Sequence, residues 1–201
     1  MHHLKALAAV VACSAIVSST QAAFITFGNQ TLWNQFVTGN GWQVATETFS
    51  GVTDGFYAGS YSGSVSGVNW TGSATSGIYA QGGLFSTNNP ETLDFVFSPG
   101  VQGVGGNIFG TDISFNVVPC IIQVTLADGS SYVNFATSST DFVGFYSTGA
   151  AIASMSIQTT ATGSGSVYAT VDNLYFTVVP APGSIALLAV AGLTSRGRRR
   201  G

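Results

Sequence analysis

Between Phe24 and Val179 the chain has no lysine, no arginine and no histidine. Its five cations, Lys5, Arg196, Arg198, Arg199 and Arg200, stand near the two ends, as do His2 and His3. All eight carboxylates (Glu47, Asp54, Glu91, Asp94, Asp112, Asp128, Asp141 and Asp172) fall between them. This stretch therefore carries a formal charge of -8, against -3 for the whole chain. Each absence excludes a class of chemistry. Without a basic face nothing neutralises a phosphate backbone, which excludes nucleic-acid binding. Without histidine there is no Ser-His-Asp or Cys-His machinery, and without lysine no Schiff base. Cysteine is limited to Cys13 and Cys120. Cys120 is alone in the central stretch, so it cannot close an internal disulfide, and its apolar setting from Val117 to Ile122 reads as a buried, inert thiol. Charged residues make up only 6% of the chain, against about 25% in an ordinary soluble domain. Ser, Thr, Asn, Gln and Gly must supply the solvated faces.

The two ends read as addresses. Residues 1–23 have the layout of a secretory signal peptide: His2, His3 and Lys5 form a positive n-region, Leu4 to Val17 an apolar core, and Thr20-Gln21-Ala22-Ala23 a small-residue cleavage region. Cleavage is expected after Ala22 or Ala23. The apolar run is shorter than the roughly 20 residues of a membrane span. Val10-Val11-Ala12-Cys13 offers an alternative, a loose lipoprotein box with Cys13 as the lipidated residue. At the other end, residues 180–201 begin with Pro180-Ala181-Pro182, which fixes φ and removes backbone donors. An apolar run from Ile185 to Leu193 follows, then the arginine cluster. That run covers about half of a roughly 30 Å hydrocarbon core, so it gives transient inner-membrane contact with the arginines on the cytoplasmic side.

The order Val-Pro-Ala-Pro, Ile-Ala-Leu-Leu-Ala-Val-Ala-Gly-Leu and Arg-Gly-Arg-Arg-Arg over Val179–Gly201 resembles a PEP-CTERM sorting signal, with Ala181 where the name-giving motif has Glu. The resemblance implies a Gram-negative bacterial protein that is exported, processed by an exosortase-type enzyme, and delivered to the cell surface or an exopolysaccharide matrix. It assigns the sorting signal to Pro180, Ala181, Pro182, Arg196, Arg198, Arg199 and Arg200, and says nothing of the body.

Residues 24–179 read as one all-β domain, an antiparallel β-sandwich with jelly-roll-like topology, between an N-terminal signal helix and a short C-terminal apolar helix. The signal is period two broken by turns. Leu93, Phe95 and Phe97 share a face. Ile121–Leu126 and Ser131–Ala136 flank Ala127-Asp128-Gly129-Ser130, a hairpin signal because Asp-Gly accepts positive φ. Gln43–Phe49 and Ala153–Thr159 alternate. Val167–Val178 is a longer strand whose apolar phase changes at Asp172-Asn173, which predicts a bulge. The Gly-, Ser- and Tyr-rich stretch from Gly51 to Gly83 reads as strands and turns. No segment of the body shows a helical stripe with caps.

Candidate chemistry is sparse. Carboxylates are the body's only ionisable catalysts, and a glycosidase would need two in one cleft, with Asp112, Asp141 and Glu91 as candidates. Most of the acids sit at turns, so the expectation is no enzyme. Calcium takes six to eight oxygens. The body weakly resembles carbohydrate-binding-module-like sandwiches, which implies a calcium shared by Glu47, Asp172 and Asn173. Trp33, Trp42 and Trp70 are candidates for stacking on sugar rings. The resulting expectation is an exported structural or adhesive protein of the surface or matrix. The alternatives are a calcium-assisted carbohydrate-binding module and, more remotely, a carboxylate glycosidase.

Overall fold

The computed structural model describes residues 23–179. The expected leader, apart from Ala23, and the tail over 180–201, with Pro180, Ala181, Pro182, Arg196, Arg198, Arg199 and Arg200, lie outside the described residues. In chain order the elements are β1 (Phe24–Phe27), α1 (Gln30–Gly39), β2 (Gln43–Glu47), β3 (Gly55–Tyr57), β4 (Ser60–Val65), β5 (Val68–Ser73), β6 (Ile78–Gln81), β7 (Leu84–Thr87) and β8 (Leu93–Phe97). There follow β9 (Gly103–Thr111), β10 (Val117–Val118), β11 (Cys120–Leu126), β12 (Ser131–Ala136), β13 (Phe142–Ser147), β14 (Ser154–Ala161) and β15 (Tyr168–Val178).

The period-two patterns become faces. In β8, Leu93, Phe95 and Phe97 are buried while Asp94 and Val96 are not. In β11, Cys120, Ile122, Val124 and Leu126 are buried on the same principle. The turn between β11 and β12 closes on Gly129 at φ 87°, with Gly129 N–H donating to the Leu126 carbonyl and Leu126 N–H to the Ser130 carbonyl. The strands make two antiparallel sheets. One runs β1-β13-β9-β15-β7-β6-β3, with β10 added to β9 and β2 added to β15; the other runs β12-β11-β14-β8-β5-β4. Their inner faces share one apolar core, with Phe49, Trp70, Phe85 and Phe95 packed ring to ring at centroid distances of 4.9–6.4 Å. The result is an all-β sandwich.

The phase change at Asp172-Asn173 is a bulge. Val171 pairs with Ile108 and Leu174 with Gly106, so two residues of β15 face the single residue Asn107 of β9. The bulge divides β15 in two. Its first part pairs with β7 and its second with β2 on the same side.

The helix α1 corrects the expectation that the body holds none. Asn29 caps it, its side chain accepting from Leu32 N–H at 3.0 Å, and Asn40 closes it. An asparagine N-cap satisfies one of the free N–H groups of the first turn. The helix lies on the outer face of the nine-stranded sheet, where Trp33 and Val37 are buried with Phe142 and Tyr175 in a second, smaller core. The sheet accepts these rings because its surface there is glycine. Gly144 of β13 pairs with Gly105 of β9. A Cβ at Gly144 would stand 2.7 Å from Phe142 and 2.8 Å from Trp33, and one at Gly105 would stand 2.6 Å from Phe142. Trp33 is anchored by its Nε1–H, which donates to the Phe145 carbonyl at 3.0 Å. Covered on both faces, β9 is buried along all nine residues.

Candidate functional site

The carboxylates of the body answer the absence of cations by binding backbone and hydroxyl donors. Asp54 accepts from Gly82 N–H, Glu91 from Ser76 N–H and Oγ, and Asp94 from Ser156 Oγ. Asp128 accepts from Ser130 N–H and Oγ, and Asp141 from Thr137 and Ser138 N–H. Asp112 is the most heavily bonded: Oδ1 accepts from Ser114 N–H, Asn116 N–H and the Asn116 amide, and Oδ2 accepts from the same amide at 3.0 Å. The Asn116 side chain, followed by its backbone N–H, holds the Asp112 carboxyl below the usual range. Hydrogen bonds to the charged form of an acid have that effect.

Glu47 is positioned by its place at the end of β2. It pairs with Leu174, whose side chain is fully buried in the inter-sheet core, so Glu47 also points between the sheets. Its Oε1 accepts from Phe49 N–H at 2.8 Å, and its Oε2 accepts from Trp70 Nε1–H of the opposite sheet at 3.0 Å. The first bond helps hold Phe49 at φ 54°. Asn173 belongs to the other face. Its amide nitrogen donates to Asn107 Oδ1 at 3.2 Å, beside the Tyr175 hydroxyl at 2.9 Å. Asp172 has no hydrogen bond among the described residues, and burial raises its carboxyl above the ordinary value. A calcium site needs convergent oxygens. Here the Glu47 oxygens meet N–H donors between the sheets and the Asn173 amide meets Asn107 on the other face, so the structure does not bring Glu47 and Asn173 together. Among the described residues no three His, Cys, Asp or Glu side chains gather in a metal-holding group. Glu47 is instead a strut between the sheets.

Trp33 and Trp70 are 0% and 1% exposed, which leaves neither ring a face for a sugar. Trp42 is half-buried against the helix core and donates through Nε1 to Tyr146 Oη at 3.0 Å. Cys120 is buried and free, and desolvation pushes its thiol up, which keeps it protonated and unreactive.

Open aromatic surface lies elsewhere, at the uncovered end of the outer face. A cavity of about 320 Å³ is walled by Tyr79 and Gln81 of β6, Ser86 and Thr87 of β7, Asn88, the turn from Asp112 to Phe115, and Tyr168 of β15. Its floor is polar. Ser86, Thr170 and Thr111 link hydroxyls across three neighbouring strands in two contacts of 2.8 Å each. Thr87 is buried with its Oγ1 lacking a partner. Tyr79 and Phe115 face each other at 5.9 Å between centroids, and Phe56 stands across from Tyr79 on β3, half exposed. Phe115 sits at φ 61°. For a bulky side chain this costs about 1–3 kcal/mol, and such strain concentrates at functional sites. The Asp112 carboxylate supports the turn that imposes it. A shallower groove of about 740 Å³ adjoins this cavity and shares Asp112, Ile113 and Tyr168 with it, continuing over Val118, Pro119 and residues 161–167. Sequence reasoning missed this site because its walls come from three distant stretches; the signal available was aromatic residues in segments with exposed alternation.

With that geometry in view, the chain matches no protein-family model, no curated protein and no solved structure.

Proposed function

We propose that this chain is an exported, non-enzymatic β-sandwich protein of the bacterial cell surface or extracellular matrix. The supporting observation is how the body uses its acids. Seven of its eight carboxylates (all but Asp172) are bonded to donors within the protein: Asp112, Asp128 and Asp141 in their own turns, and Glu47, Asp54, Glu91 and Asp94 to more distant segments. Carboxylates committed to internal donors serve the fold, whereas a glycosidase needs a pair facing each other across a cleft. The address-like ends supply the route: a secretory leader, then a PEP-CTERM-like tail read by an exosortase-type enzyme after transient inner-membrane contact. We also read the two sheets as jelly-roll-like, since spatial neighbours such as β9 and β15, or β8 and β14, are distant in sequence.

The test is to express the chain in its native host with Arg196, Arg198, Arg199 and Arg200 replaced by Gln, followed by fractionation and intact-mass measurement. The reading expects retention in the membrane fraction and an unprocessed C-terminus. Identical location and mass for the altered and native chains would overturn it.

A further inference from the structure

We propose that the cavity between Tyr79, Phe115 and Tyr168, with its adjoining groove, binds a neutral polysaccharide chain. This supplies a ligand class to the matrix reading above and rests on it only for where the ligand is met.

The argument starts from the ring surfaces. Sugars offer an apolar C–H face and a rim of hydroxyls, so a site for them combines aromatic faces with groups that hydrogen-bond in a fixed direction. Tyr79 is 39% exposed and packs against Phe115 in a tilted pair, so the two rings form one aromatic wall of the cavity. Around the rings stand the Gln81 and Asn88 amides and the Asp112 carboxylate. Asp112 is kept ionised by the Asn116 amide, and its Oδ2 accepts only one hydrogen bond among the described residues. That oxygen retains capacity for a sugar hydroxyl. Behind this wall the buried hydroxyls of Thr170 and Thr111 link to that of Ser86, which holds the wall rigid.

Charge decides which sugars fit. The site has one carboxylate, and the body from Phe24 to Val179 has no cation to pair with an acid. A uronate or sulfated sugar would meet uncompensated repulsion from Asp112, so the ligand is neutral. Length follows from shape. The cavity is near the lower size of small-ligand sites, but the groove sharing Asp112, Ile113 and Tyr168 extends it in one direction. A chain of several rings can lie along both.

The experiment is calorimetric titration of the purified full chain with neutral glucan, mannan and galactan oligomers from di- to hexasaccharide, beside uronate oligomers of the same lengths. Phe115→Gly and Tyr79→Ala are the variants. Glycine suits the positive φ at position 115, so that variant removes the ring while easing the backbone. The expected result is that one neutral series binds and tightens with length. Each variant then loses about tenfold or more in affinity, as central aromatic anchors do, with its melting temperature retained. Binding by no neutral series, tighter binding of uronates, or unchanged affinity in both variants would overturn the proposal. Failure here with tail-dependent fractionation intact would leave the export reading standing; the reverse outcome would remove the export reading alone.

Discussion

The outer face of the nine-stranded sheet has two halves with opposite fates. On one half, α1 seals Trp33, Phe142 and Tyr175 against the paired glycines Gly105 and Gly144. On the other half, across the bulge at Asp172-Asn173, no helix among the described residues lies over Tyr79, Phe115 and Tyr168, and a cavity forms. Both halves are rich in aromatic rings, so aromatic content does not separate core from binding surface. The difference is the floor. Glycines let rings lie flat and be covered, whereas hydroxyl-bearing residues such as Ser86, Thr111 and Thr170 keep their polar network just beneath the opening. Apolar burial stabilises the first half, and exposed rings near directed polar groups prepare the second for a ligand.

The largest effect that would break this contrast is Trp33→Ala. It removes a fully buried indole from the closed half and should cost about 3–5 kcal/mol in denaturant unfolding. Little or no loss would mean that α1 does not contribute to the fold as a core element. Gly144→Ala tests the floor directly. The added Cβ has no room under Phe142 and Trp33, and overpacking of this kind costs about 1–3 kcal/mol. A neutral result would show that the helix shifts freely over the sheet. In the inter-sheet core, Trp70→Phe keeps most of the ring but strips Glu47 Oε2 of its donor. Leaving such an acceptor unpaired costs about 1–3 kcal/mol, so urea titration should show a clear drop, one that the further change Glu47→Leu partly restores.

Two smaller effects sharpen the comparison. Asp172 stands on the bulge that separates the halves, and its carboxyl is raised by burial. A raised carboxyl favours the protonated form in the folded state. Its contribution to stability is therefore fully present below the unfolded value and lost as pH rises through the folded one. Asp172→Asn should stabilise the protein at neutral pH and leave it unchanged in acid, as read by melting temperature across pH. A variant that loses stability at neutral pH would assign Asp172 an interaction of its charged form. The smallest effect belongs to the open half: Tyr79→Ala should change stability by no more than about 0.5 kcal/mol. A large destabilisation would show that this ring is core, and that the two halves differ less than their geometry indicates.

Much of the sandwich was legible in the sequence for a plain physical reason. β8 and the β11–β12 hairpin each have one face toward the core, so burial repeats with period two. The bulge was legible as a change of phase. Strand β9 was not, because Gly-Val-Gly-Gly-Asn-Ile-Phe-Gly-Thr is covered on both sides and has no alternation to show. The helix was missed because its buried set, Trp33 and Val37 with Phe36 beside them, spans little more than one turn within Gln, Asn and Thr. Its capping asparagine was the one local signal. For the candidate sites, residue type misled. Trp33 and Trp70 are the largest rings and for that reason the most useful inside, while the exposed rings include Phe56, Tyr79 and Phe135. Glu47 lies against the last strand, paired with Leu174, and what the sequence did not show is that its Oε2 accepts from the Trp70 indole N–H of the opposite sheet.

The bonding of carboxylates to N–H and hydroxyl donors also bears on how the protein meets proteolysis. Bonds of this kind need no lysine or arginine, and none is present from Phe24 to Val179. Peptidases that cut after basic residues therefore find no cleavage point in the entire β body, even when a strand frays or the fold opens.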